Sequence, residues 1–369
     1  MALGLSKAGQ IALDIGASSL LALEVSGSGS RLKLRSCEEW PLTEGLVVDG
    51  EIVDVDLFAR ELKGFVGQLK LRGKPVHIAV GNQKVIVRNI DMPEMTEEEL
   101  RGAIEFQAQD YIPIPVDEVV LDFQVLGKHV TMEGASRQEV LLVAAQKTMI
   151  SMFTTALRQA GLKVAGIDVT SMALVRALIP STSFLPDTEE SSACRAIADI
   201  SSSVSTLVVT VGGVLKFTRI VNFSSDRFAR VLSEQLGIPN EDAQGLVQRI
   251  GLVGPVPVED DVYSEEVLNQ TQQRLSEVAA ELSDEIRRSL HYYQSQPVAV
   301  PVTELILSGR GALVRNLDAN LSEALNMPVS IGNPMIHVAE NSSKTPDSEL
   351  AYMAPYLSVA VGLSLPEED

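Results

Sequence analysis

Apolar residues change their spacing along the chain, and each change marks a change of element. Between Ile11 and Arg35 they alternate with polar positions, the period-two pattern of strands, and predict two or three strands joined by the flexible turn Gly27-Ser28-Gly29-Ser30. Leu57, Phe58, Leu62, Phe65, Val66 and Leu69 then fall at helical spacing, which predicts a helix over 55–71 before a short buried strand over 76–80. A strand over 85–90 is ended by Pro93, and Thr96 with Glu99 forms a capping box for a helix to about residue 109. Pro113 and Pro115 forbid helix beyond Ile112 and force an extended segment. Strands follow over 119–126 and 139–145, with helices over 147–160, stopped by Gly161, and over 171–178.

The second half predicts two strands from Cys194, helices over 227–236 and 241–250, and a long helix over 264–294. Leu268, Leu275, Val278, Leu282, Ile286 and Leu290 form the apolar stripe of that long helix. A further helix to about residue 325 and a closing helix over 351–363 complete the pattern. Residues 1–10 read as a flexible lead, 180–192 as a polar linker and 251–261 as an acidic, proline-rich loop.

Within this pattern one local plan occurs twice. Ile11 to Val25 is an apolar strand ending in Asp14, a small polar loop Gly16-Ala17-Ser18-Ser19, and a second apolar strand. Cys194 to Gly213 repeats it with Asp199, the loop Ser201-Ser202-Ser203 and a Gly-Gly turn. Gly16 is expected to take a positive φ in a tight turn, and the small side chains beside it leave main-chain N–H groups open to a phosphate. Asp14 and Asp199 stand where carboxylates hold magnesium through water. A third loop, Gly309-Arg310-Gly311, follows the buried run Leu305 to Ser308 and is expected to lead into a helix whose first N–H groups face an anion or adenosine. Two copies half a chain apart suggest a duplicated α/β fold with a phosphate between facing hairpins.

Composition narrows the function classes. With 369 residues the chain exceeds one typical core, so two or more domains are expected. A formal charge of −19 opposes non-specific nucleic-acid binding and direct adhesion to anionic lipid. Cys37 and Cys194 are the only cysteines, which suits a reducing compartment, and the four histidines show no metal-ligand spacing. No apolar run of about 18 residues occurs, so the chain is expected to be neither secreted nor membrane-spanning, and to reach a membrane only through partners.

The order of the three loops resembles the actin-like ATPase superfamily, with its ribonuclease H-like duplicated fold. Asp14-Ile-Gly-Ala-Ser18, Glu105-Phe-Gln-Ala-Gln-Asp-Tyr-Ile-Pro-Ile-Pro115 with Asp117 to Phe123, and Ala354-Pro-Tyr-Leu-Ser-Val-Ala-Val-Gly-Leu363 are similar to the PilM family of type IV pilus assembly. The resemblance covers nearly the whole chain, and the Tyr-Ile-Pro-Ile-Pro block is its most specific part.

It implies a first core over 1–82 (1A), an FtsA-like inserted subdomain over 83–160 (1C), a return to 1A with a linker over 161–192, a second core over 193–225 and 300–335 (2A), a helical subdomain over 226–299 (2B) and a C-terminal return over 336–369. It also implies ATP with magnesium, held by Asp14, Gly16, Ala17, Ser18, Ser19, Asp199, Ser201, Ser202, Ser203, Gly309, Arg310 and Gly311. Glu285 and Arg288, at i and i+3 on the long helix, resemble the pair that lines the nucleotide, and a solvated ion pair is the competing reading.

Tyr111, Ile112, Pro113, Ile114 and Pro115 would wall a cleft for the cytoplasmic N-terminal tail of PilN. The implied setting is cytoplasmic, peripheral to the inner membrane, among other pilus machine components that include motor ATPases, with self-association open. The sequence departs from the family pattern where phosphates are held. Leu21 replaces a lysine, Ser201 and Ser224-Ser225 replace glycines, and Ala243-Gln-Gly-Leu-Val247 lacks both charges of its helix. Losing one lysine–phosphate contact costs about 1.5–3 kcal/mol, and no residue stands out as a water-activating base, so no catalytic residue is assigned. The alternatives are a small-molecule kinase, an FtsA-like filament former and a type II secretion assembly protein of the same fold.

Overall fold

The computed structural model describes residues 10–28, 31–179, 192–254, 263–297 and 299–366. Most of the expected lead, the turn at 29–30, nearly all of the linker 180–192 and most of the loop 251–261 lie outside them.

The chain opens with β1 (Gln10–Ile15), β2 (Ser19–Ser28) and β3 (Arg31–Pro41), then a tiny hairpin of β4 (Val47–Val48) and β5 (Glu51–Ile52), helix α1 (Val55–Gln68) and strand β6 (Pro75–Val80). The insert follows as β7 (Val85–Pro93), α2 (Glu97–Tyr111), β8 (Val119–Val130) and β9 (Ser136–Gln146). Helix α3 (Lys147–Gln159), strand β10 (Lys163–Val169) and helix α4 (Thr170–Leu178) complete the first half. The second half holds β11 (Cys194–Ile200), β12 (Ser205–Val211), β13 (Val214–Val221), α5 (Asp226–Leu236), α6 (Asn240–Arg249), α7 (Glu265–Gln294), β14 (Glu304–Ser308), α8 (Leu317–Leu325) and β15 (Val329–Ile331). Strand β16 (Val338–Asn341) and helices α9 (Asp347–Met353) and α10 (Ser358–Ser364) close the chain.

Two mixed sheets repeat one topology. The first runs β10-β6-β1-β2-β3-β16 and the second β15-β14-β11-β12-β13. In each, the central strand pairs antiparallel with the hairpin partner that follows it and parallel with a strand on its other side. The duplication read from two short motifs therefore extends to whole sheets.

The alternation in β1 and β2 does not mean one wet face. Ile11 and Leu13 enter a core with α1 and α3, whereas Ala12, Leu21 and Leu23 enter the core between the two sheets. Mixed sheets with helices on both faces bury their central strands on both sides. Helices α4 and α10 lie between the sheets, and a Cβ at Gly362 would sit 1.9 Å from the carbonyl oxygen of Ala173. Their backbones touch there, and only glycine allows it.

The insert is a three-stranded sheet, β7-β9-β8, with α2 packing Leu100 and Ile104 on one face over Ile90 and Val140. Thr96 caps α2 as expected, with Glu99 returning a bond to the Thr96 N–H at 2.9 Å. Val87 and Leu141 on the other face pack with Leu215 of β13, the outer strand of the second sheet. Asn89 Nδ2 donates to Leu215 O at 2.7 Å, and Lys216 pairs with Glu139 at 2.6 Å. An element inserted in the first half thus leans on the second.

The expected closing helix is interrupted. Pro355 has no N–H to continue the ladder of α9, and a 3-10 turn over Ala354–Leu357 separates it from α10. The freed Pro355 carbonyl accepts bonds from Gly309 N–H at 3.0 Å and Ser308 Oγ at 2.9 Å.

Candidate functional site

The β1–β2 and β11–β12 hairpins face each other, and their loops touch directly. Ala17 N–H donates to Ser202 Oγ at 3.0 Å, and Gly50 N–H, in the tight turn of the β4–β5 hairpin, donates to Ser203 Oγ at 2.6 Å. Gly16 has no positive φ. Glycine is favoured there for another reason: a Cβ would lie 2.8 Å from Ser202 Oγ and 3.2 Å from Ser19 O. Ser201 takes the place of a glycine without a positive φ, its hydroxyl closing the turn onto Val204 O at 2.8 Å.

Asp14 and Asp199 line one narrow cavity between these hairpins, with 80 Å³ open to the centre of a water molecule. Burial pushes the Asp14 carboxyl up to about 6, against the pull of Arg310. Burial pushes Asp199 up to about 7, the nearby Asp14 charge adding to the rise while a hydrogen bond from Ser308 opposes it. Two desolvated carboxylates beside serine hydroxyls fit a hydrated divalent cation, which needs only one or two protein carboxylates. No cluster of three or more acidic, histidine or cysteine ligands occurs among the described residues.

The third loop supports this cavity. Gly309 has φ +78° and ψ 179°, and a Cβ there would meet Ile200 O at 2.5 Å; one at Gly311 would meet Ile200 Cγ2 at 2.5 Å. Both glycines are thus demanded by the second hairpin. The loop does not open an α-helix, contrary to expectation. Ala312 and Val314 N–H groups bond to Gly309 and Gly311 carbonyls in a 3-10 turn over Arg310–Leu313, and α8 starts only at Leu317. Those N–H groups are therefore spent within the turn.

A second cavity of 380 Å³ adjoins the first, sharing Ser19 and Arg310 with it. Ser18, Ser225, Asp226, Gln244, Gln248 and Glu39 also line it. Leu21 lines the first cavity and is buried, and Ser225, Gln244 and Val247 line the second, so these departures from the family pattern lie at the cavities, whereas Ser224 lines neither.

Glu285 and Arg288 do not. They pair with each other, i to i+3 on α7, with Arg288 exposed and Glu285 half-buried, and neither is among the residues that line the two cavities. Several lining residues escaped sequence reasoning, among them Glu39, Gly50, Gly81, Asp226 and Tyr356. Only Gly81 had a local signal: it follows the buried strand β6, as Gly309 follows the equivalent β14.

In the proline block, Ile112 caps α2 and is buried in the insert core, and Ile114 packs against that core, so neither presents a full side chain outward. Tyr111, Pro113 and Pro115 are exposed. Lys147 Nζ donates to Asp117 O at 2.7 Å and ties the segment to the start of α3.

A family model described as "Type IV pilus assembly protein PilM" matches residues 12–368. The cell division protein FtsA of Bacillus subtilis (strain 168) is 21% identical over 357 residues, which are 88% of this chain and 78% of that protein. Among solved structures, a chain of the "PilM-PilN type IV pilus biogenesis complex" superposes with a TM-score of 0.79 at 25% identity, covering 97% of this chain and 98% of that one. MreB5 of Spiroplasma citri bound to AMPPNP gives 0.52 at 14% identity over 97% and 95% of the two chains, and the ethanolamine utilization protein EutJ of Carboxydothermus hydrogenoformans gives 0.54 at 11% over 98% and 90%. The fold is that of the actin-like ATPases.

Proposed function

The chain belongs to the PilM family of type IV pilus assembly proteins, and from that membership we propose that it is an actin-like scaffold that holds the cytoplasmic N-terminal tail of a PilN-type membrane protein. The observation that carries this reading is the superposition, over almost the full length of both chains, on a chain of a PilM–PilN complex. No described helix is long and apolar enough to cross a membrane, and in this reading the partner's tail supplies the attachment to the inner membrane from the cytoplasmic side. Tyr111, Pro113 and Pro115 form the exposed part of the peptide-binding wall. Prolines keep that wall extended without a side chain that must be ordered on binding.

The cleft between the hairpins is proposed as a magnesium–nucleotide site. Asp14 and Asp199 would hold the ion, which supplies the positive charge that a polyphosphate needs beside two carboxylates. Ala17 N–H and Gly50 N–H, now bonded to Ser202 and Ser203, are the backbone donors that phosphate oxygens would engage, and the second cavity takes the nucleoside. Gln244 and Gln248 offer amides to a base there, and Asp226 a carboxylate to ribose hydroxyls. Nucleotide then adjusts the contact between the halves that the insert also touches.

Calorimetric titration with a synthetic PilN N-terminal peptide tests the scaffold reading. Saturable binding weakened by Tyr111→Ala supports it, and no binding at millimolar peptide overturns it. Titration with Mg·ATP, with Asp14→Asn as the control, tests the cleft separately.

A further inference from the structure

Arg310 is the one cationic side chain lining either cavity among the described residues, against four carboxylates, Asp14, Asp199, Glu39 and Asp226. It stands at the neck, lining both cavities, and it is already engaged. Its guanidinium forms an ion pair with Glu39, donates to Ser19 Oγ at 3.1 Å and lies over the Tyr356 ring, 4.3 Å from the centroid. Tyr356 OH donates in turn to Glu39 Oε2 at 3.5 Å. Arg310 comes from the loop after β14 of the second sheet, whereas Ser19 and Glu39 lie on β2 and β3 of the first. The ion pair therefore spans the cleft between the halves.

This arrangement neutralises the one lining cation among the described residues with a carboxylate of the same chain. An incoming anion meets three further carboxylates and no free positive charge on the lining. Planar guanidinium binds carboxylate and phosphate oxygens through the same fork of donors, so one can replace the other without moving the loop. The aromatic face of Tyr356 holds the guanidinium plane whichever oxygen it faces.

We propose that Glu39 is a built-in competitor for the anionic part of the ligand, and that a nucleoside polyphosphate binds by taking Arg310 from Glu39. The proposal rests on the reading of the cleft as a nucleotide site. It makes affinity depend on a residue that belongs to none of the three loops.

The test is titration of Mg·ATP and Mg·ADP by calorimetry into the unmodified protein, Glu39→Gln, Arg310→Gln and the double variant, with thermal melting to check that each is folded. Glu39→Gln keeps the shape of the side chain and removes its charge. It is expected to tighten binding about threefold to tenfold, the scale of a half-exposed ion pair released. Arg310→Gln is expected to weaken binding by about tenfold or more. In the Arg310→Gln background the Glu39→Gln gain is expected to vanish, because the competition acts through the guanidinium. Unchanged or weaker binding by Glu39→Gln overturns the proposal, as does a gain that persists without Arg310, which would reduce Glu39 to a general repulsive charge. If all four folded proteins ignore both nucleotides up to millimolar, the nucleotide reading of the cleft fails, and the proposal with it, an outcome distinct from equal binding by the unmodified protein and Glu39→Gln.

Discussion

The hairpin β1–β2 turns through Gly16-Ala17-Ser18, and the hairpin β11–β12 through Ser201-Ser202-Ser203. The first offers backbone: Ala17 N–H reaches across to Ser202 Oγ. The second offers hydroxyls, two of them occupied by the N–H groups of Ala17 and Gly50. The second is also braced from behind, since Gly309 and Gly311 press on Ile200 and Ser225 N–H bonds to Ser201 O at 2.8 Å. One plan, used twice, has thus divided into a donor side and an acceptor side. Through these bonds the hydroxyls of one hairpin satisfy backbone N–H groups of the other half.

Breaking the brace should have the largest effect. Gly309→Ala puts a Cβ 2.5 Å from Ile200 O at a φ and ψ that only glycine adopts easily, and a loss of about 2–4 kcal/mol is expected in urea unfolding. A loss under about 1 kcal/mol would show that the second hairpin is not held by the third loop.

Asp199→Asn should act in the opposite direction. The folded protein holds the Asp199 proton up to about pH 7, above the ordinary 3.8, so the ionised group is unfavourable in the folded state and stability falls as pH rises through that interval. The metal-free variant is expected to be about 1–2 kcal/mol more stable than the unmodified protein above pH 7. That gain should shrink toward zero near pH 4, and melting curves across the range, taken with a chelator, measure it. Equal stability at pH 8 would mean that Asp199 is not desolvated in solution.

Gly16→Ala tests the contact between the two loops. The intruding Cβ meets the Ser202 hydroxyl, so a cost of about 1 kcal/mol is expected, and Ser202→Ala in the same chain should recover part of it. Additive losses would place the clash elsewhere. The smallest effect belongs to the insert's hold on the second sheet. Lys216→Ala removes a half-exposed pair with Glu139 and should cost about 0.2–1 kcal/mol, fading at high salt. A larger loss would make the insert a structural part of the second half.

Much of the local structure was legible in the residues themselves. The capping box of Thr96 and Glu99, the stop at Pro113 and the apolar stripe of the long helix each act over a few positions, and local chemistry decides them. Both Asp-ended hairpins were legible for the same reason, and with them the duplication and the actin-like fold. The break at Pro355 was visible too, yet the apolar run around it read as one helix.

What surrounds those elements belongs to the tertiary structure alone. Arg310 and Glu39 are 271 positions apart, and no spacing rule joins them. Gly16 answers to Ser202, and Gly309 to Ile200, so each needs a neighbour from a distant hairpin to explain why it is glycine. Glu285 and Arg288 share a helix face and pair with each other without lining either cavity, because a helical period fixes which residues share a face and not where that face points. Local periodicity determined the elements; the packing of two similar halves against each other determined the site.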